Sequence, residues 1–199
     1  MSAAPAAGGL VVWTVGHGRL GAEELAARLR AAGVRQVADV RRRPASRRHP
    51  WLAGPALARG LARAGLGYRW LGEALGGLRP RPAAPEAPAL EPLWWGYAAH
   101  MQTEAFLAGV AALLAWAREA PTALLCAEGD PARCHRTLLA DHLALAEGVT
   151  VRHLLPDGGL REHRPHPAAR AQGGRVRYDR VTLSLPWDGG PAAGPPPPA

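Results

Sequence analysis

The sequence contains no lysine, so all 24 of its basic residues are arginines, set against 16 acidic residues for a formal charge of +8. Alanine, glycine and proline are abundant, a bias that a GC-rich genome alone would produce. Arginine content by itself therefore says little about phosphate recognition, whereas arginine clustering does, because compositional drift does not decide where residues sit. Cysteine is scarce as well: two residues are too few for a disulfide-built scaffold. No basic N-terminal segment runs into an apolar stretch and a cleavage site, and no apolar run approaches the ~20 residues that cross a bilayer. These absences argue against a disulfide-stapled secreted domain and a membrane span, and make a cytoplasmic protein the expectation.

What is present is enough for one globular domain: 199 residues, 48% of them hydrophobic. Residues 1–9 are expected to be disordered, 10–156 to form an α/β domain, and 157–188 to be a C-terminal extension. The Pro, Gly and Ala tail over 189–199 has nothing to bury and is also expected to be disordered. Leu10 to Val15 is an apolar run rich in β-branched residues and closed by Gly16-His17-Gly18, which predicts a buried strand. Glu23 to Ala32 predicts a helix stopped at Gly33, and Val34 to Val40 a second strand. Strand, helix, strand in this order predicts a right-handed βαβ unit and a mostly parallel sheet flanked by helices in Rossmann-like layers. Pro55 to Ala64 (helix) and Gly67 to Gly72 (strand) follow. Five prolines between Arg79 and Pro92 predict a long loop, and Tyr97 to Arg118 predicts one helix with Phe106, Val110, Leu113 and Leu114 on its apolar stripe. Ala123 to Cys126 and Val149 to Leu155 complete the strands.

Both cysteines lie in Cys126-Ala127-Glu128-Gly129-Asp130-Pro131-Ala132-Arg133-Cys134-His135-Arg136. Asp130 before Pro131 predicts the start of a helix running through Leu138, Leu139 and Leu143, since Asp accepts first-turn amide hydrogens and Pro lacks one. Arg133, Cys134, His135 and Arg136 would then sit beside free N–H groups and the positive end of the helix dipole, a setting for an anion. Cys134 there is a candidate nucleophile, because nearby arginines favour the thiolate. Cys126, at a strand end, reads as structural, and packing competes for Cys134 too. Metal ligation by the two cysteines and His135 is the weakest reading, because Cys-x7-Cys-His is not a usual zinc spacing and a fourth ligand must come from elsewhere. A disulfide does not suit a reducing cytosol. Neither a metal nor a cofactor is expected.

Ligands of open parallel sheets sit outside the carboxyl ends of the strands. His17, Asp39 with Arg41, and Cys126 with Glu128 follow three such ends and should share one edge. The cluster from Arg41 to His49 holds five arginines within nine residues, and Arg41, Arg43, Ser46 and Arg47 are candidate anion ligands. Trp51, Trp70, Trp94, Trp95 and Tyr97 are candidate base-stacking surfaces, although tryptophan more often belongs to the core. Asp39, Glu128 and Asp141 would orient arginines or handle protons, with a structural role expected for Asp141. His17, between two glycines, reads as an exposed proton carrier titrating near neutrality.

Thr14-Val15-Gly16-His17-Gly18, Asp39-Val40-Arg41-Arg42-Arg43-Pro44-Ala45-Ser46-Arg47, Leu71 to Gly77, Tyr97 to Met101, and Cys126 to Arg136 with Ala140-Asp141-His142-Leu143 together resemble the family called domain of unknown function 488. The resemblance covers about residues 11 to 156. It implies an α/β fold and a shared cleft set carried by His17, Asp39, Arg41, Arg43, Ser46, Tyr97, Cys126, Glu128, Cys134, His135 and Arg136, without bringing an established reaction. The proline-rich loop at Arg79 to Pro92 departs from the family pattern. From the residues, the leading expectation is an enzyme acting on a nucleotide or nucleic acid, by glycosidic or phosphoester cleavage. Glu128, Asp39, His17 and Cys134 are the candidate catalytic groups; Arg41, Arg43, Ser46, Arg47, Tyr97, His135 and Arg136 would bind. The alternatives are a non-catalytic nucleic-acid-binding module and a thiol redox protein joining Cys126 to Cys134.

Overall fold

In a computed structural model of the chain, the described residues are 9–45, 49–83 and 87–179. The terminal segments expected to be disordered, Gly9 apart, lie outside them, as do Ser46 and Arg47. Six strands make one sheet: β1 (Val11–Gly16), β2 (Gln36–Asp39), β3 (Gly67–Trp70), β4 (Thr122–Cys126), β5 (Thr150–Leu154) and β6 (Leu160–Glu162), in the order β3-β2-β4-β1-β5-β6. All pairs are parallel except β5 with β6. The chain runs from β1 through β2 and β3 to one edge, then returns to insert β4 between β1 and β2, and continues to the other edge.

Both faces of the sheet are covered, which is why its central strands read as continuous apolar runs rather than alternating ones. Ala123 and Leu125 of β4 face a core with Leu25 and Leu29 of α1 (Ala22–Ala31) and Leu57 and Leu61 of α2 (Gly54–Arg63). Leu124 and Cys126, one residue out of phase, face a second core on the other side. That core is built with the single turn α3 (Gly72–Leu75), with α4 (Trp95–His100) and α5 (Glu104–Ala117), and with α6 (Arg136–Leu145). The α/β architecture in flanked layers is thus the one the strand-helix pattern predicts.

Three local features differ from the sequence reading. The expected helix over Tyr97 to Arg118 is two helices bent by 76°, because Thr103 adopts an extended conformation and its hydroxyl caps the Phe106 amide at 3.3 Å. Asp130 does cap, accepting from the Ala132 amide at 2.9 Å, but the element it starts is a 3-10 turn, Pro131–Arg133. Cys134 is then extended (φ −128°, ψ 143°), and α6 begins only at Arg136. Arg133, Cys134 and His135 therefore precede the long helix instead of forming its first turn.

The stretch after Pro156 contributes more than an appendage. It supplies β6, the hairpin β7 (Arg170–Gln172) and β8 (Arg175–Arg177), and the fully buried Val176 and Tyr178. Asp141 holds it down: its carboxylate accepts from the Tyr178 hydroxyl at 2.7 Å, from the His166 amide at 3.0 Å and from His163 Nε2 at 2.8 Å. Among the described residues no single helix is long and apolar enough to cross a membrane.

Candidate functional site

The strand register aligns Gly16 with Cys126 and Asp39 with Leu125, so the chain leaves β1, β2 and β4 at a common edge. A cleft of about 520 Å³ opens there. Its walls are His17 after β1, Arg41, Arg42 and Arg43 after β2, Leu78 and Arg79 after α3, Leu93, Trp94 and Tyr97 around the start of α4, and Cys126, Glu128, Arg133, Cys134 and His135 after β4. Gly16 permits this closeness, since a Cβ there would stand 1.8 Å from the Glu128 carbonyl oxygen. A smaller cavity, about 370 Å³, lies beside Trp13, Arg28 and Leu154, and no cysteine, histidine or carboxylate lines it.

One wall is rigid. Asp39 is fully buried and accepts four hydrogen bonds, from the Arg41 amide and Nε (3.0 and 2.9 Å), from Arg41 Nη2 (2.6 Å) and from the Tyr68 hydroxyl (2.8 Å). Arg41 also donates Nη1 to the Leu52 carbonyl at 2.8 Å. A carboxylate so fully engaged orients Arg41 and has no free lone-pair direction toward a substrate. Burial, and then the charge of Asp39, push the Tyr68 hydroxyl well above the usual phenol range.

His17 is not the exposed proton carrier that its flanking glycines suggest. It is 7% exposed, with Nδ1 3.2 Å from the Gly18 carbonyl and Nε2 3.5 Å from Arg41 Nη1. Burial first, and the Arg41 charge second, lower its pKa, so the ring is neutral at pH 7.

The opposite wall is the cysteine loop. Cys126 and Cys134 are free thiols, both buried, and His135 Nδ1 lies 3.9 and 3.7 Å from their sulfurs. Behind them Arg136 is completely buried. Its Nε donates to Cys134 Sγ at 3.2 Å and its Nη2 to the Glu128 carbonyl, while Nη1 has no partner among the described residues. No carboxylate pairs with it among the described residues. A guanidinium stays protonated, and a buried charge needs a counter-charge; the sulfur of Cys134 is the group in reach. Accordingly the Cys134 thiol is held far below its ordinary range by the Cys126 thiol donating to it, with His135 and Arg136 adding to this against burial, while Cys126 is pushed up by the same hydrogen bond and by burial.

Between the walls the charge is one-sided: five arginines line the cleft against the single carboxylate of Glu128. Arg42 and Arg79 are anchored on backbone, the first at the Leu78 carbonyl (2.9 Å) and the second at the Gly76 carbonyl (2.8 Å). Burial and the neighbouring Arg42 charge lower the Arg79 pKa. The side chains of Arg43 and Arg133, both exposed, make no hydrogen bond or ion pair among the described residues; only their backbones do, the Arg43 carbonyl accepting from the Ala45 amide and the Arg133 amide donating to the Asp130 carbonyl.

Of the candidates from the sequence, His17, Arg41, Arg43, Tyr97, Cys126, Glu128, Cys134 and His135 line the cleft. Asp39 stands behind Arg41, Arg136 behind the cysteines, and Asp141 under the C-terminal segment. Of the tryptophans, Trp94 faces the cleft. Trp95 is covered by the Arg81 guanidinium 4.4 Å above its ring, and Trp70 donates Nε1 to the Arg41 carbonyl at 2.9 Å. Arg42, Gly77, Leu78, Arg79, Leu93 and Arg133 line the cleft outside the set of site residues that the sequence nominates; the Gly76-Gly77 pair just before Arg79 is the signal that points to Gly77, Leu78 and Arg79, because paired glycines allow close backbone approach.

The fold and the site define a doubly wound α/β protein with a basic cleft at the carboxyl ends of its central strands. The chain belongs to the family described as "Domain of unknown function DUF488", whose sequence profile matches residues 21–143, more than half of its length. His17 lies just outside that match and the cysteine loop inside it. No curated protein and no solved structure matches the chain.

Proposed function

We propose that the cleft binds a phosphate-bearing substrate, a nucleotide or a nucleic-acid strand, and cleaves a glycosidic or phosphoester bond in it. The observation that carries this reading is the imbalance of charge on the cleft walls: Arg41 is paired with Asp39, whereas Arg42, Arg43, Arg79 and Arg133 face the single carboxylate of Glu128. Cations crowded without counter-ions repel one another unless an anion joins them, and guanidinium forks suit phosphate oxygens. Arg43 and Arg133, whose side chains have no partner among the described residues, are the groups available to take it. The volume of about 520 Å³ lies within the range of small-ligand sites. Trp94, with the exposed Leu78 and Leu93 at the rim, offers an apolar surface on which a base can stack.

The chemical roles divide by availability. Asp39 and Arg41 form a fixed frame, and neutral His17 lies beside it. Glu128, on the exposed part of the loop, is the carboxylate placed to give or take a proton. The full chain, incubated with a panel of nucleotides and single-stranded oligonucleotides at low salt, should bind at least one class and release base or cleave phosphoester. Glu128→Gln should lower turnover by about 100-fold or more with binding retained. Absence of binding to every phosphate compound overturns the reading, and binding without turnover reduces it to a non-catalytic module.

A further inference from the structure

We propose that Cys126, Cys134 and His135 form a binding site for a soft divalent cation, zinc above all, with its fourth coordination position open to the cleft. Their ligand atoms, two sulfurs and one ring nitrogen, all lie within 4.8 Å of one another. The nitrogen-to-sulfur separations of 3.9 and 3.7 Å are close to those between adjacent corners of a tetrahedral centre with metal–sulfur bonds of about 2.3 Å and metal–nitrogen bonds of about 2.0–2.1 Å. The spacing that argued against zinc in the sequence is bridged by the 3-10 turn Pro131–Arg133, which folds Cys134 back beside the end of β4.

Two further observations point to a ligand. His135 is 9% exposed, yet among the described residues neither ring nitrogen has an oxygen or nitrogen partner: Nδ1 faces the two sulfurs, and Nε2 has no partner. A buried imidazole ordinarily satisfies its nitrogens, so an Nδ1 aimed between two sulfurs is suited to a metal. Gly77 packs against that same atom, where a Cβ would stand 2.8 Å from Nδ1.

The charges fit as well. Two thiolates neutralise a divalent ion and leave the buried Arg136 charge over; an anionic oxygen in the open position cancels it. Arg136 Nε already donates to Cys134 Sγ at 3.2 Å, the kind of outer contact that tunes a ligand sulfur. All three ligands line the same cleft as the five arginines, so an ion they hold would be reached from it. With the ion in place Cys134 serves as a ligand rather than a nucleophile. The three protein ligands are in place whether or not a phosphate-bearing ligand enters the cleft, so this inference and the proposed function can fail separately.

The test uses the full chain, reduced and stripped of metal, titrated with Co²⁺ alone and then Zn²⁺ alone. One equivalent of Co²⁺ should bind with the thiolate charge-transfer and visible absorption of a tetrahedral centre, and Zn²⁺ should displace it. Cys126→Ser, Cys134→Ser and His135→Ala should each weaken binding by about 100-fold or more, since loss of an outer-shell contact alone costs 10–100-fold. Gly77→Ala, which leaves every ligand in place, should weaken it less. Folded, reduced wild-type chain that takes up no Co²⁺ or Zn²⁺ overturns the proposal, as does a cobalt spectrum without thiolate bands. Oxidation to a Cys126–Cys134 disulfide in a protein that binds no metal when reduced also overturns it and favours a redox role.

Discussion

Two buried polar clusters each include a residue of α6, Asp141 in one and Arg136 in the other, and they differ in how far their hydrogen-bonding capacity is used. Beneath the C-terminal segment, Thr14 Oγ1, His153, His163, Asp141 and Tyr178 form a chain of contacts of 2.8, 3.0, 2.8 and 2.7 Å. Each ring nitrogen of His153 and His163 has a partner, and Asp141 also takes the His166 amide. In the cleft, by contrast, among the described residues His135 Nε2 and Arg136 Nη1 are buried without partners, and the side chains of Arg43 and Arg133 hold nothing. A closed network of this kind rigidifies a fold. An open one is costly unless something else completes it, and that is the physical ground for assigning ligands to the cleft and stability to the relay.

The comparison can be broken most directly at Asp141. Replacing it by Ala removes the acceptor for His163, His166 and Tyr178 and should cost about 3–5 kcal/mol of unfolding free energy, the range for removing one partner of a buried pair. Chemical denaturation measures it; metal uptake by the remaining folded protein should be unchanged. A loss below about 1 kcal/mol would mean that the relay is not what fastens the C-terminal segment.

Acid should act on the same cluster. Burial first, then His163 and Arg136, hold the His153 pKa down to about 4 from its usual 6.5. The folded protein therefore refuses a proton that the unfolded chain accepts below pH 6.5. The stability this confers is full above pH 6.5 and is lost progressively as pH falls through about 4. Denaturation midpoints from pH 7 to pH 4 should show this decline, reduced in a His153→Gln variant. A smaller loss is expected for Tyr178→Phe, which deletes one hydrogen bond to a carboxylate, about 1.5–3 kcal/mol. Smallest of all, Arg43→Ala with Arg133→Ala should change stability by less than about 0.5 kcal/mol, as for surface residues without partners. If that double variant unfolds markedly earlier, these arginines hold structure and the contrast between the two clusters fails.

How much was legible in the sequence follows the same division. The strands β1 and β4 are apolar runs because both sheet faces are covered, while β5 alternates in burial; the ends of β1, β2 and β4 put His17, Asp39 and Cys126 at one edge as expected. The break at Met101 to Thr103 was hidden because the apolar stripe runs on into α5 and a single Thr side chain makes the cap. Asp130-Pro131 marks a cap in the sequence and forms one in the structure, but a cap does not say whether a 3-10 turn or an α-helix follows. That difference decides where Cys134 and His135 point. Tyr178 and the β6 segment carry no hydrophobic pattern; their attachment to Asp141 exists only in three dimensions. The approach of Cys126, Cys134 and His135 depends on a turn whose geometry spacing alone cannot give.

The most direct measurement for the central claim, that the open cleft is completed by a phosphate-bearing ligand, is the salt dependence of binding to a single-stranded oligonucleotide. It compares the wild-type chain with the Arg43→Ala, Arg133→Ala double variant. Each phosphate contact contributes about 0.7 to the slope of log K against log salt for a single strand. The account predicts tight binding at low salt and a slope shallower by about 1.4 in the double variant, with denaturation unchanged. An identical slope and affinity in the two proteins, or no binding at low salt, would contradict it.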